Sequence, residues 1–138
     1  REVEVGEMLN NIGIIRRKQS RWEEALEALE EAHRTFVRLG DRSRQAQALG
    51  NLASVYASLK RREEAEQAWS TAASLFEELG ERQKQGDTMM ALGMSMFRSG
   101  RRQAGLTTYQ AGMSMVEKPT FMQRFYRLLL QVQSYVFR

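Results

Sequence analysis

The chain repeats itself every 40 residues, and that period leaves few folds open to it. Residues 6–45 laid over 46–85 agree identically at 13 of 40 positions, several times what chance gives at about 7% per common residue. The matches are ordered: Leu9/Leu49, Asn11/Asn51, Glu23/Glu63, Glu24/Glu64, Ala25/Ala65, Ala28/Ala68, Ala32/Ala72, Phe36/Phe76, Leu39/Leu79, Gly40/Gly80, Arg42/Arg82 and Gln45/Gln85. A third copy, from Gly86, keeps residue classes better than identities, through Leu92, Gly93, Arg101, Arg102, Gly105, Tyr109 and Gly112. A period of this length marks units that bury their apolar faces by stacking on one another.

Each copy is helical with a break in its middle. In the second, Leu49, Leu52, Ala53 and Tyr56 make one stripe, and Ala65, Ala68, Trp69, Ala72, Leu75, Phe76 and Leu79 make another, both at spacings of three and four. The only Pro is Pro119, so little interrupts helix, and strands are not expected. Gly40 and Gly80 suit the left-handed residue after each second helix, Ser20 and Gly100 mark the turn inside a repeat, and Glu23 and Glu24 fall in the first turn that follows. The expected helices are about 4–18, 22–39, 42–59, 62–79, 82–98, 102–116 and 120–137. The fold class is therefore all-α, with antiparallel helix-pair repeats at about 6–45, 46–85 and 86–119 and a C-terminal helix at about 120–137, all in a single domain, 1–138. Gly13, Ala53 and Gly93 on the first helices, and Ala25, Ala65 and Gly105 on the second, stand where a neighbouring helix must come close.

This pattern of small residues, followed by an aromatic or apolar residue and then Ala, bulky, Ala (Ala53, Tyr56, then Ala65, Trp69, Ala72), resembles the tetratricopeptide repeat over essentially residues 6–116. The 40-residue period, with Leu39-Gly40-Asp41-Arg42 and Leu79-Gly80-Glu81-Arg82 closing the second helices, is similar to the extended subclass. The third copy departs from it, with Met96 at the usual aromatic and Gly105 and Gly112 at two Ala positions. The resemblance implies a right-handed superhelix with a concave side that takes a peptide or helix of a partner protein.

On that geometry the groove is lined by Glu7, Asn10, Asn11, Ile14 and Arg17, then Gln47, Gly50, Asn51, Ser54 and Ser58, then Asp87, Met90, Ala91, Met94 and Phe97. Asn11 and Asn51 recur at one place, and an amide that both donates and accepts can hold an extended backbone whatever its side chains. In resembling families that position contacts ligand peptides; the bland alternative is that these amides bridge helices. Met90 and Met94 are equally suited to an adaptable surface and to core filling. The clamp that chaperone-binding members place on a terminal carboxylate needs Lys and Arg, where this chain has Asn10, Ile14, Asp87 and Ala91.

The turns inside the repeats are basic: Arg16, Arg17, Lys18 and Arg21; Lys60, Arg61 and Arg62; Arg98, Arg101 and Arg102. Stacked repeats would align them as a basic edge, partly neutralised by Glu23, Glu24, Glu63 and Glu64. A net charge of +4 is far from that of a nucleic-acid wrapper and argues against nucleic acid as the partner. The chain has no Cys and one His, His33, which excludes a disulfide framework, a thiolate nucleophile and a metal site of ordinary ligand count. His33 reads as a solvent-facing helix residue. No cofactor and no enzymatic activity are expected. No apolar run approaches the roughly eighteen residues of a membrane span and no signal-peptide pattern opens the chain, so membrane insertion is not expected and the location reads as cytoplasmic.

The main reading is a protein-interaction scaffold, and the alternative is a sensor module of a larger signalling or transcription protein that receives a small effector or signal peptide. The last helix adds one feature. Phe121, Phe125, Leu128, Leu129, Val132 and Val136 form its expected inward stripe, yet Met122, Tyr126, Leu130, Tyr135 and Phe137 populate much of the rest. The second side is expected to be covered by another subunit, by a further repeat lost in truncation, or by the partner, and most simply by another copy in a homodimer through the C-terminal helix.

Overall fold

In the computed structural model, which describes residues 1–117 and 120–136, seven helices follow one another among the described residues. They are α1 (Glu2–Lys18), α2 (Trp22–Leu39), α3 (Arg42–Ser58), α4 (Arg62–Glu78), α5 (Arg82–Arg98), α6 (Arg102–Met113) and α7 (Phe121–Val136). The first helices begin at 2, 42 and 82 and the second at 22, 62 and 102, so the 40-residue period of the sequence is a period of helix starts. Pro119 and Phe137, to which the sequence assigns a repeat boundary and part of an apolar face, lie outside the described residues.

The turns repeat at half that period. Ser20, Gly40, Lys60, Gly80 and Gly100 all have positive φ, between 59° and 95°. Each turn closes alike: the amide of the next residue donates to the carbonyl five residues back, as Asp41 does to Phe36 at 3.0 Å and Arg61 to Tyr56 at 2.8 Å. This satisfies carbonyls that the helix end would otherwise leave unpaired.

The chain divides into two compact units, 1–75 and 76–138. The division falls inside α4 and within the second sequence repeat, at neither expected repeat boundary. In the first unit, α1 packs on α2 and α2 on α3. Gly6 faces the Phe36 ring and Gly13 faces Leu29, in the reversed order of an antiparallel pair. The core joins Ala25, Leu26 and Leu29 of α2 to Leu52 and Val55 of α3, with a second patch of Ala32, Phe36 and Ala48 against Leu9. Ala65, Ala68, Trp69, Ala72 and Leu75 of α4 are buried as well.

In the second unit, α5 and α6 approach at backbone distance. A Cβ on Gly93 would lie 2.6 Å from the Gly105 carbonyl oxygen, and one on Gly112 would lie 2.6 Å from that of Gly86. The glycines that depart from the family pattern in the third repeat are therefore the ones that let these helices touch. α6 ends at Met113, three residues before its expected end, where the Ser114 hydroxyl donates to the Ala111 carbonyl at 2.6 Å and competes with helix continuation.

α7 opens with a reciprocal cap: the Gln123 amide donates to Thr120 Oγ1 at 3.1 Å and the Thr120 amide donates to Gln123 Oε1 at 2.8 Å. It joins α6 through Leu130, which enters the core, and through the Tyr109 hydroxyl, which donates to the Gln123 carbonyl at 3.0 Å. This reverses the expected orientation of α7. Leu130 faces inward, while Phe121, Phe125, Leu128, Leu129, Val132 and Val136 are exposed, together with Met122, Tyr126 and Tyr135.

Candidate functional site

α1 and α3 touch and present adjoining faces within the first unit. Their register is held by Arg44, which comes from the first turn of α3. Its guanidinium donates to Glu7 Oε1 from Nε at 2.6 Å and to Asp41 Oδ2 from Nη1 at 2.8 Å. Asp41 also caps α3, accepting from the Arg44 amide at 3.1 Å. Sequence reasoning passed over Arg44, although its offset of 37 residues from Glu7 is just under one repeat and would place opposite charges on neighbouring first helices.

One turn further along, Asn51 Nδ2 donates to Asn10 Oδ1 at 3.1 Å. The recurrent Asn51 is thus linked to Asn10 rather than to its sequence equivalent Asn11, which is exposed. The pair consumes one of four amide N–H donors, so three donors and the Asn51 carbonyl oxygen stay available on the face. Gln47 is exposed, while Ile14 and Ser54 are half-buried beside them. The Ser54 hydroxyl donates to the Gly50 carbonyl at 3.3 Å. Gly50 differs from the packing glycines, because a Cβ there would meet nothing within 4 Å.

The third-repeat members of the expected groove behave differently. Met90 and Phe97 are buried at 5% and 6% exposure, in a core with Leu106, Tyr109, Met113, Val116 and Leu130, and Met94 packs against that core. Met90 and Phe97 are core residues and not open lining. The reason is the close α5–α6 approach, which draws the flanking large side chains into the interior to fill the space around four glycines.

On the expected basic edge, Lys18, Lys60, Arg61, Arg62, Arg101 and Arg102 are exposed, while Arg16 and Arg17 are half-buried. Arg61 is held bidentately by Glu64, with both bonds at 2.7 Å, and lies over the Tyr56 ring at 4.8 Å. This bonding holds the Glu64 carboxyl below its usual range. Arg16 reaches Glu24 at 3.6 Å, and Arg102 lies 6.0 Å from the Phe97 ring centroid. Arg21 of the same turn also reaches Glu24, at 3.7 Å, so neighbouring glutamates pair with Arg16, Arg21 and Arg61.

His33 is half-buried rather than solvent-facing. Its Nε2 is buried without a hydrogen-bond partner among the described residues, and burial, then the nearby Arg34, lowers its pKa. No group of three His, Cys, Asp or Glu among the described residues is placed to hold a metal ion.

The family model of the tetratricopeptide repeat matches residues 4–68, the stretch that contains α1, α2, α3 and this amide-bearing face. Residues 4–68 are tetratricopeptide repeat. That fold is in general a protein–protein interaction scaffold, and the family is typically non-enzymatic. Among solved structures, the Arabidopsis OM64 TPR domain matches with a TM-score of 0.75 at 16% identity, over 96% of this chain and 99% of that one. Aspartyl phosphate phosphatase F from Bacillus subtilis matches with a TM-score of 0.79 at 15% identity, over 83% of this chain and 30% of that one. BtubC from P. vanneervenii matches with a TM-score of 0.74 at 18% identity, over 80% of this chain and 45% of that one. The chain thus spans less than half the length of the last two, and at these identities the likeness is one of fold. No curated protein matches in sequence. No helix among the described residues is long and apolar enough to cross a membrane.

Proposed function

We propose that this tetratricopeptide repeat chain is a protein-interaction scaffold whose α1–α3 face binds an extended segment of a partner protein. The observation that carries the reading is the Asn10–Asn51 pair, which is fixed at 3.1 Å and still offers donors and an acceptor to a peptide backbone. Asn11 and Gln47 add two exposed amides. The bare Gly50 backbone leaves room for a ligand side chain, since a Cβ there has no neighbour. Arg44 is engaged by Glu7 and Asp41, so the face recognises backbone rather than clamping a terminal carboxylate. The exposed basic residues Lys60 and Arg62 of the same unit supply a salt-sensitive contribution to an acidic partner.

Peptides selected from a random display library against the full chain test this reading. Asn11→Ala together with Asn51→Ala should weaken the selected peptides by about 1–3 kcal/mol, with helix content unchanged by circular dichroism. Selected peptides that bind the double variant as well as the unaltered chain would remove the amide face as the site.

A further inference from the structure

The outward face of α7 is the largest feature that the peptide-binding reading leaves unused. Its exposed apolar residues run along one half of the helix surface, with Phe125, Leu129, Val132 and Val136 near the middle. The only charged side chains among the described residues of α7, Arg124 and Arg127, fall on the flank at 100° per residue. Counted from the helix start, Phe125 and Val132 occupy the places of Gly6 and Gly13 in α1 and of Gly86 and Gly93 in α5. Those glycines admit the second helix of each repeat at close range. Bulky residues deny that approach on α7, so the face suits a wider helix–helix contact.

Two quantities indicate what covers it. With Phe121 at 79%, Tyr135 at 75% and the other seven at 37–64% exposure, the nine residues leave on the order of 800 Å² of apolar surface in water, taking about 150–250 Å² per aromatic side chain. That exceeds the roughly 300–600 Å² of the largest patch on a typical monomer and equals the roughly 800 Å² that one partner gives to a standard interface. The face also carries no charge, so the complementary surface must be uncharged and apolar, a description that a second α7 meets. We propose that the outward face of α7 joins two copies of this chain, α7 against α7, in an isologous contact with the arginines at its rim. The proposal is independent of the amide face of α1 and α3.

Sedimentation velocity on the full chain, from micromolar concentration upward, reads this directly: the mass should rise from 16.0 kDa toward twice that value. Leu128→Glu combined with Val132→Glu, both at exposed positions, should move the dissociation midpoint upward by about tenfold or more with helix content unchanged. Because the chain has no Cys, Val132→Cys supplies a single thiol that copper–phenanthroline should oxidise to a covalent dimer, while Gln131→Cys on the polar flank should not cross-link. A mass of 16.0 kDa at every concentration, a double variant that stays dimeric, or a monomer that floats with phosphatidylglycerol vesicles would each overturn the proposal, the last by assigning the face to lipid.

Discussion

Five residues spaced 20 apart set the chain's course, and they are not equivalent. Gly40, Gly80 and Gly100 adopt positive φ without a Cβ penalty, whereas Ser20 at 59° and Lys60 at 63° accept it. Lys60→Gly should therefore stabilise the chain by about 0.5–1 kcal/mol, less than the full left-handed cost because glycine loses more entropy on folding. Urea denaturation followed at 222 nm measures it, and an unchanged or lowered midpoint would contradict the argument. Ser20 was legible as a turn residue, but Lys60 reads in sequence only as part of a basic run, since its charge carries no signal about φ.

His33 is the other residue whose surroundings the sequence misstates. Burial favours its neutral form in the fold, so the unfolded chain binds the proton more readily below its ordinary value near 6.5. Stability therefore falls as pH drops from 6.5 through the lowered folded-state value, and is insensitive to this group above 6.5. His33→Gln should flatten the change in urea midpoint between pH 7.5 and 5.5. An equal slope in both proteins would mean that other groups titrate.

At the scale of elements, the same residue type does opposite things. Gly93 sits where a Cβ would strike backbone atoms of α6, and Gly50 sits where a Cβ would meet nothing. Gly93→Ala should cost about 1–3 kcal/mol through overpacking, and Gly50→Ala should add about 0.8–1.0 kcal/mol of helix propensity. If Gly50 makes room for a ligand, the stabilised variant should also bind selected peptides less well. Thermal melts and peptide titrations on the two variants separate these effects, and equal behaviour of the two would refute the distinction.

Helix ends follow the same logic. Thr120 and Gln123 cap each other's amides, and Thr120→Ala should cost about 1 kcal/mol. The loss should show as faster hydrogen exchange in the first turn of α7, and unchanged protection there would show that the tie to α6 alone holds the helix start. The Thr-x-x-Gln spacing was present in the sequence as a start signal; the direction of α7's apolar face was not. That face is set by the contacts of Leu130 and by the Tyr109 bond, and a periodic stripe names a face without naming its neighbour.

For the molecule as a whole, the two compact units lead to a local pattern of stability, as expected where repeats contact near neighbours. Gly93→Ala should lower amide protection in α5 and α6 ahead of α1, α2 and α3 in native-state exchange. A uniform loss along the chain would instead indicate a single cooperative unit.

The period of 40, the helix starts, the glycine-marked turns and the all-α class were determined by the sequence, because each rests on local chemistry: spacing at three and four, a missing Cβ, a missing ring constraint. What only the tertiary structure decided were matters of partnership. Asn51 bonds Asn10 rather than standing beside Asn11 as a free ladder, since the offset between neighbouring helices selects the nearer amide. Met90 and Phe97 became core because α5 and α6 close to backbone contact and draw large neighbours inward. The apolar stripe of α7 was turned to solvent because one buried leucine and one tyrosine hydroxyl fix the helix from its opposite side. Periodicity describes one helix at a time, whereas burial is a property of what stands across from it.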